Sequence, residues 1–436
     1  KWLNDLSLRA CFTIFVPNID CSNPDYCTMR RFLFIILTAL LACAASQAAT
    51  RKVVYVVMDG IPADYIERVH PATVFDVARH GGYARASTGG EIGGYSQTPT
   101  ISAVGYMNIL TGTWLNKHNV PGNSNLDPNY NYWSLFRIAK QQPQNFTTAL
   151  FSSWTDNRTV LIGAGKPETD SLSIDIVRDG YELEGSALRR ADGSPDVFAI
   201  DSVVCREAAE CIRTAAPDLS WVYLWYTDEA FHAHGDSSFV DEYVRRTDEQ
   251  VARIWEAVQY REKNFDEEWM VIITTDHGRD ESGHHHGGQS ARERSVWIST
   301  NADDLNARFG DASLSLVDIL PTICRFMGFT LPRDRAFELD GVPFCGKADI
   351  SCLTTHPYDN DVELRWRCGR SKDDAVVYMA VTNNFKSGGR DEWIEVGRVE
   401  ARAGRMVVHL DRYPESRFYK FVVATPHTTL NRWLLK

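Results

Sequence analysis

Trp269-Met270-Val271-Ile272-Ile273-Thr274-Thr275-Asp276-His277-Gly278 is the stretch that decides the fold. Its first seven residues are all apolar or β-branched, and they run straight into an aspartate, a histidine and a glycine. An unbroken run of this kind suits a strand covered on both faces, as in a parallel sheet; a half-exposed strand would alternate. Two other runs end the same way. Val53–Met58 leads into Asp59-Gly60, and Trp221–Tyr226 leads to Asp228, with His232 four residues further on. Thr148–Ser152 and Ser295–Ser299 read as further strands. Helical patterns lie between them, over Thr73–His80, Ala103–Leu110, Tyr132–Lys140, Phe239–Arg261 and Leu314–Met327. The alternation predicts a doubly wound α/β/α sandwich over residues 50–350. In such folds the carboxyl ends of the parallel strands share one edge, and ligands gather there.

After Pro357 the pattern changes. Val362–Arg367, Val376–Thr382, Trp393–Val399, Met406–Leu410 and Tyr419–Ala424 are short β-type runs. Turn signals such as Lys386-Ser387-Gly388-Gly389 separate them. Five short strands without a helical pattern predict a small C-terminal β-sandwich, fibronectin III-like, over residues 358–436.

At the other end, Met29-Arg30-Arg31 precedes an apolar run from Phe32 to Ala42 and small residues through Ala49. Basic flank, short apolar run and small-residue zone together predict a signal peptide over 29–49, with 1–28 a non-native upstream extension. Cleavage after Ala48 is one expectation. The other is lipidation at Cys43, read from Leu40-Leu41-Ala42-Cys43, which would be the chain's one form of membrane attachment. Either makes the protein exported, periplasmic or secreted. Six cysteines follow Cys43, and an even number in an exported chain suggests disulfides, with Cys205/Cys211 and Cys345/Cys352 as the natural pairs. The net charge of -11 argues against a nucleic-acid-binding surface but leaves room for a small anionic substrate beside a metal.

One aspartate at a strand end is commonly a helix cap. Three of them, two with a nearby histidine, fit capping poorly. His284-His285-His286-Gly287-Gly288 follows so closely that it can fold back over the same edge. Carboxylate oxygen with imidazole nitrogen is a donor set suited to zinc. Asp59, Asp228, His232, Asp276, His277 and His286 supply the six ligands that two ions need. Ser102 opens a helical pattern in Thr98-Pro99-Thr100-Ile101-Ser102-Ala103-Val104-Gly105, where free N–H groups and the positive end of the helix dipole favour an oxyanion. A plain helix-capping serine is the other reading of the same residue.

The order Asp-Gly, a hydroxyl residue with Thr111-Gly112 nine residues later, Asp-x-x-x-His, Asp-His-Gly and His-Gly resembles the alkaline-phosphatase superfamily. It is most similar to the type I phosphodiesterase/nucleotide pyrophosphatase branch, over about Arg51 to Cys345. The resemblance implies two Zn2+ ions. Asp59, Asp276 and His277 would hold the one nearer the nucleophile, and Asp228, His232 and His286 the second. It implies Ser102 as nucleophile and metal contact, with Thr100 a second choice; His285 is the second choice for His286. Gly105 stands where diesterases often carry a phosphate-binding Asn, so Gly105 itself through its N–H, Asn108 and Asn123 are the candidate substrate contacts. Aromatics between Lys117 and Trp133 are candidates to line the pocket, as are Trp154 and Asp156. Ser102-Ala-Val-Gly-Tyr lacks the Pro and Arg of a sulfatase. The expected function is hydrolysis of a small phosphate ester, a diester or pyrophosphate, through a phosphoseryl intermediate. A phosphomonoesterase, or a surface binding protein that has lost catalysis, is the alternative.

Overall fold

The computed structural model describes residues 49–369 and 371–436. The expected extension 1–28, Cys43 and all of the expected signal peptide except Ala49 lie outside the described residues. No described helix is long and apolar enough to cross a membrane.

Seven strands form the main sheet: β1 (Thr50–Met58), β2 (Gly82–Ser87), β3 (Thr148–Ser152), β4 (Ile176–Arg178), β5 (Leu219–Leu224), β6 (Glu267–Thr274) and β7 (Ser295–Thr300). Their order is β2-β7-β6-β1-β5-β3-β4. β1 runs parallel to β5 on one side and β6 on the other, and β3 and β4 continue the parallel set. β7 is antiparallel to β6, and β2 to β7. Among the described residues, seven helices have seven residues or more: α1 (Ala63–Val69), α2 (Ala72–His80), α3 (Ser102–Thr111), α4 (Val197–Thr214), α5 (Tyr226–His234), α6 (Ser238–Asn264) and α7 (Ile319–Met327).

The strand period of two explains why β1 is apolar throughout. Val53, Tyr55 and Val57 face the core shared with α3 and α7. Val54, Val56 and Met58 face the opposite core, shared with α1, α2, α4 and α6. Helices therefore cover both faces, and the expected α/β/α sandwich is the observed one.

Some boundaries differ from expectation. β5 stops at Leu224, because Trp225 already caps α5. Asp228 and His232 thus stand one turn apart on a helix rather than at a strand end. The 18-residue α4 was not anticipated. The β-sandwich begins at Ile350, eight residues before the expected 358, with β8 (Ile350–Tyr358), β9 (Asp361–Cys368), β10 (Asp374–Ala380), β11 (Ile394–Glu400), β12 (Arg405–His409), β13 (Phe418–Ala424) and β14 (Thr429–Leu435). Four strands, β11-β10-β13-β14, face three, β12-β9-β8, across one core that includes Leu364, Val377 and Phe421.

No disulfide joins the six described cysteines, which corrects the expected pairs. Cys205 and Cys211 lie six residues apart on α4, a spacing that turns them to different sides of the helix. Cys345 Sγ instead reaches Thr322 O, and Cys352 Sγ reaches Ser313 Oγ.

The sandwich docks on the α/β part through buried polar and ionic contacts. Lys117 Nζ donates to Asp340 Oδ1 at 2.6 Å and to Asn431 Oδ1 at 3.0 Å. Lys420 Nζ lies 2.6 Å from Glu338 Oε1 and 2.8 Å from Asp391 Oδ2, and all three side chains are buried. Tyr95 stacks on Trp433.

Candidate metal centre

Strand register builds the site. Val57 pairs with Thr274 and Met58 with Leu224, so the ends of β1, β6 and β5 are level. The next residues bring Asp59 and Asp276 side by side. Gly60 turns the chain at φ +71°, and its N–H donates to Asp276 Oδ1 at 3.0 Å. The helix spacing of Asp228 and His232 puts both on one face of α5. His286 arrives on its loop, which is pinned to the residue two before Ser102. His286 Nδ1 meets Thr100 O at 2.9 Å, Gly287 N donates to Thr100 Oγ1 at 2.9 Å, and Thr100 Oγ1 donates to Gly288 O at 3.0 Å.

The hydrogen bonds fix the imidazoles. His277 Nδ1 faces Gly278 O at 2.9 Å, and His286 Nδ1 faces Thr100 O. A carbonyl oxygen only accepts, so each Nδ1 carries the proton and each Nε2 presents a lone pair. His277 Nε2 lies 3.4 Å from Asp59 Oδ1, 3.4 Å from Asp276 Oδ2 and 3.3 Å from Ser102 Oγ. His286 Nε2 lies 3.1 Å from His232 Nε2 and 3.6 Å from Asp228 Oδ1. His232 Nε2 is 3.4 Å from Asp228 Oδ1.

Two groups of ligand atoms therefore gather tightly: Asp228 with His232 and His286, and Asp59 with Asp228 and His277. The first is the expected second-ion set. In the other, Asp228 joins Asp59 and His277, while Asp276 stands next to His277 with its Oδ1 taken by Gly60 N–H. Asp59 Oδ1 and Asp276 Oδ2 are buried and have no hydrogen-bond partner among the described residues. Orphaned carboxylate oxygens facing lone-pair nitrogens are what cations satisfy, so the residues fit bound metal.

The electrostatics agree. Burial, then the charges of Asp276 and Asp228, push the Asp59 carboxyl well up, against the hydrogen bonds of Tyr106 and Tyr223. Burial pushes Asp276 up to about 7. Burial also pushes His277 and His286 down, which keeps them neutral and able to ligate.

Ser102 is the first residue of α3 and 6% exposed, and Ile101 is the N-cap. Its hydroxyl is not spent on capping, so the plain-cap reading does not describe it. Thr100 is engaged with the His286 loop, and His285 is exposed and outside both groups. Asn123 is brought to the nucleophile: its Oδ1 accepts the N–H of Ala103 at 2.8 Å. Asn108 is not; it is fully buried, donating to Thr88 and facing His118. Gly105 serves close packing, since a Cβ there would lie 2.7 Å from Asp276 Cβ. Of the aromatics expected to line the pocket, Tyr132 packs edge-on against Phe385 of the sandwich, Trp133 lies under Arg335, and Tyr130 donates to Val160 O. Trp154 packs edge-on against Tyr106, and Asp156 accepts from Thr159.

Sequence reasoning missed Arg279. It is fully buried, its Nε donates to Gly60 O at 2.9 Å, and its Nη2 donates to Asp228 Oδ1. The polar run Asp276-His277-Gly278-Arg279-Asp280-Glu281-Ser282 reads as a surface loop, so the sequence carries no signal that Arg279 is buried.

The pattern of the family described as type I phosphodiesterase / nucleotide pyrophosphatase matches residues 53–301, more than half of the chain. The chain belongs to that family. The matched span contains Ser102 and all six candidate ligands. Membership makes the protein a metal-dependent phosphodiesterase/pyrophosphatase-type hydrolase of phosphate esters. Among solved structures, the chain is similar to inactive murine ectonucleotide pyrophosphatase / phosphodiesterase 5 in complex with AMP, at 12% identity over 65% of this chain and 96% of that one, with a TM-score of 0.48. It is similar to a 2-O GAG sulfatase at 11% identity, over 80% and 85%, with a TM-score of 0.47. It is similar to an alkaline phosphatase superfamily protein from Vibrio parahaemolyticus at 10% identity, over 76% and 77%, with a TM-score of 0.41. These likenesses carry no assignment. No curated protein matches the chain.

Proposed function

We propose that this protein is an exported two-zinc phosphodiesterase or pyrophosphatase that acts through Ser102. The observation that carries the reading is the convergence of Asp59 Oδ1, Asp276 Oδ2 and the Nε2 atoms of His277, His286 and His232 beneath the serine. Asp59, Asp276 and His277 would hold one ion, and Asp228, His232 and His286 the other. Ions held there would supply charge neutralisation and Lewis acidity toward the phosphoryl and leaving oxygens.

The chain's own residues do the rest. Ser102 gives up its hydroxyl proton to solvent, and Oγ, at the positive end of α3, attacks phosphorus; the bond to the alkoxide or phosphate leaving group breaks on the opposite side, that group takes a proton from water, and a phosphoseryl intermediate remains. Water then cleaves the phosphoserine. Asn123 Oδ1 is fixed by Ala103 N–H, which leaves Nδ2 to donate to a phosphoryl oxygen. Burial of Asp59, Asp276 and His277 keeps bulk water from competing for the ligands. Export rests on the sequence of residues 29–49; protease accessibility of the mature protein on intact cells checks it.

The deciding experiment compares turnover of an aryl phosphodiester with that of the matching monoester, using zinc-loaded protein and its Ser102→Ala variant. Preference for the diester, two zinc per chain in both proteins, and loss of turnover in the variant are expected. Preference for the monoester would make the protein a phosphatase. Full turnover by the variant would remove Ser102 as nucleophile.

A further inference from the structure

The two oxygens of Asp59 have unlike surroundings. Oδ2 accepts from Tyr106 and, at 2.8 Å, from Tyr223, and the two phenol oxygens lie 2.7 Å apart. Oδ1 has no partner and faces His277 Nε2. Two hydroxyl protons serve three close oxygen pairs, so Oδ2 accepts at least one hydrogen bond in every arrangement. Both tyrosines are buried, at 1% and 2% exposure, so water does not substitute for them. Their rings brace each other, with centroids 4.8 Å apart, and Tyr106 also packs edge-on against Trp154 and Trp221.

The placement joins three elements at one oxygen. Asp59 ends β1. Tyr223 belongs to β5, the neighbouring strand. Tyr106 stands four residues after Ser102 on α3, one turn along the same helix. We propose that Tyr106 and Tyr223 are positioning residues: they anchor Asp59 through Oδ2, offer Oδ1 alone to a cation, and tie that ligand to the helix of the nucleophile. The proposal rests on the metallohydrolase reading above. Neither tyrosine touches the reacting atoms; each acts through Asp59. An outer partner of this kind orients a ligand and raises its affinity, and its loss typically weakens metal binding by about 10–100-fold.

The test is a double-mutant cycle of Tyr106→Phe and Tyr223→Phe, read by zinc titration against a chromophoric chelator. Melting of the metal-free proteins and kcat and KM on an aryl phosphodiester are measured beside it. Because either phenol alone can hold Oδ2, each single variant is expected to lose less than half, on a logarithmic scale, of what the double variant loses. The double variant is expected to lose about 10–100-fold in affinity for one of the two ions, and kcat more than KM. A merely structural role would lower melting of the metal-free protein and leave the zinc affinity of the folded protein unchanged, which would overturn the proposal. If the double variant does not fold, Tyr223→Phe decides alone: it should weaken zinc binding measurably, and unchanged affinity and kcat would sink the idea. Wild-type protein that takes up no divalent ion would overturn the metal reading itself, and the proposal with it.

Discussion

The carboxylate of Asp201 accepts the backbone N–H of Tyr226 at 2.8 Å. It accepts that of Trp225 at 3.0 Å as well, and Ser153 donates to it. A residue of α4 thereby closes the N-terminus of α5, the helix that presents Asp228 and His232. Burial pushes Asp201 up to about 7. The folded state keeps this proton where the unfolded chain has lost it, so the folded state binds more protons between about pH 4 and pH 7. Stability from this group is therefore greatest below about pH 4 and falls as pH rises to about 7. Asp201→Asn should flatten that slope, but its single amide oxygen keeps only one of the two backbone bonds and sets Nδ2 against the other N–H. Asp201→Ala should cost about 1–2 kcal/mol through loss of the cap. Denaturant unfolding of metal-free protein at pH 5 and pH 8 checks both; equal slopes in wild type and Asp201→Asn would refute the assignment.

Thr100 holds the His286 loop with both functions of its hydroxyl. Thr100→Val keeps the shape and removes both bonds. On the proposed two-zinc reading, zinc content should drop from two toward one per chain, because His286 would hold one ion only. Metal analysis after dialysis reads this directly, and two full equivalents would contradict it.

Gly105 lets α3 approach the end of β6. The Cβ of Gly105→Ala would sit 2.7 Å from both Cβ and the carbonyl oxygen of Asp276. Neither atom can swing away, so helix and strand end must part. Overpacking of this kind costs about 1–3 kcal/mol. Turnover should fall further than stability predicts, since Ser102 and Asp276 separate. A variant with wild-type melting and turnover would show that the contact relaxes freely.

Lys420 is the cation between two buried carboxylates, Glu338 and Asp391. Lys420→Met leaves both unpaired and should cost about 3–5 kcal/mol. Adding Glu338→Gln should recover part of the loss. Thermal unfolding of the single and double variants measures the coupling; additive effects would mean that the pair does not interact.

Much of the site was legible because its chemistry sits where strands stop. Asp59 and Asp276 were readable from apolar runs that end in an acid, and Ser102 from the first apolar periodicity after Pro99. Asp228 and His232 were found at the right spacing but assigned to a strand end; the helix shows only once Trp225 is recognised as its cap. The stripe Val197, Ile200, Val204, Ala208 and Ile212 is a helical pattern behind a capping Asp196, so α4 was present in the sequence and simply overlooked. Tyr106 and Tyr223 are another matter. They look like ordinary core aromatics, 117 residues apart, and only the register of β5 against β1 makes them partners of Asp59. The cysteine pairs failed because an even count says nothing about which way each side chain points, on α4 for Cys205 and Cys211 or on β8 for Cys352.

Lys117 stands fifteen residues after Ser102, yet Asn431 completes the set of acceptors around its ammonium. On the ribosome, every candidate ligand has emerged by His286 while that ammonium still waits for β14. The sandwich is thus a keystone rather than an appendage: it supplies the third acceptor of an ammonium buried just after the nucleophile's helix, beside Glu338 O and Asp340.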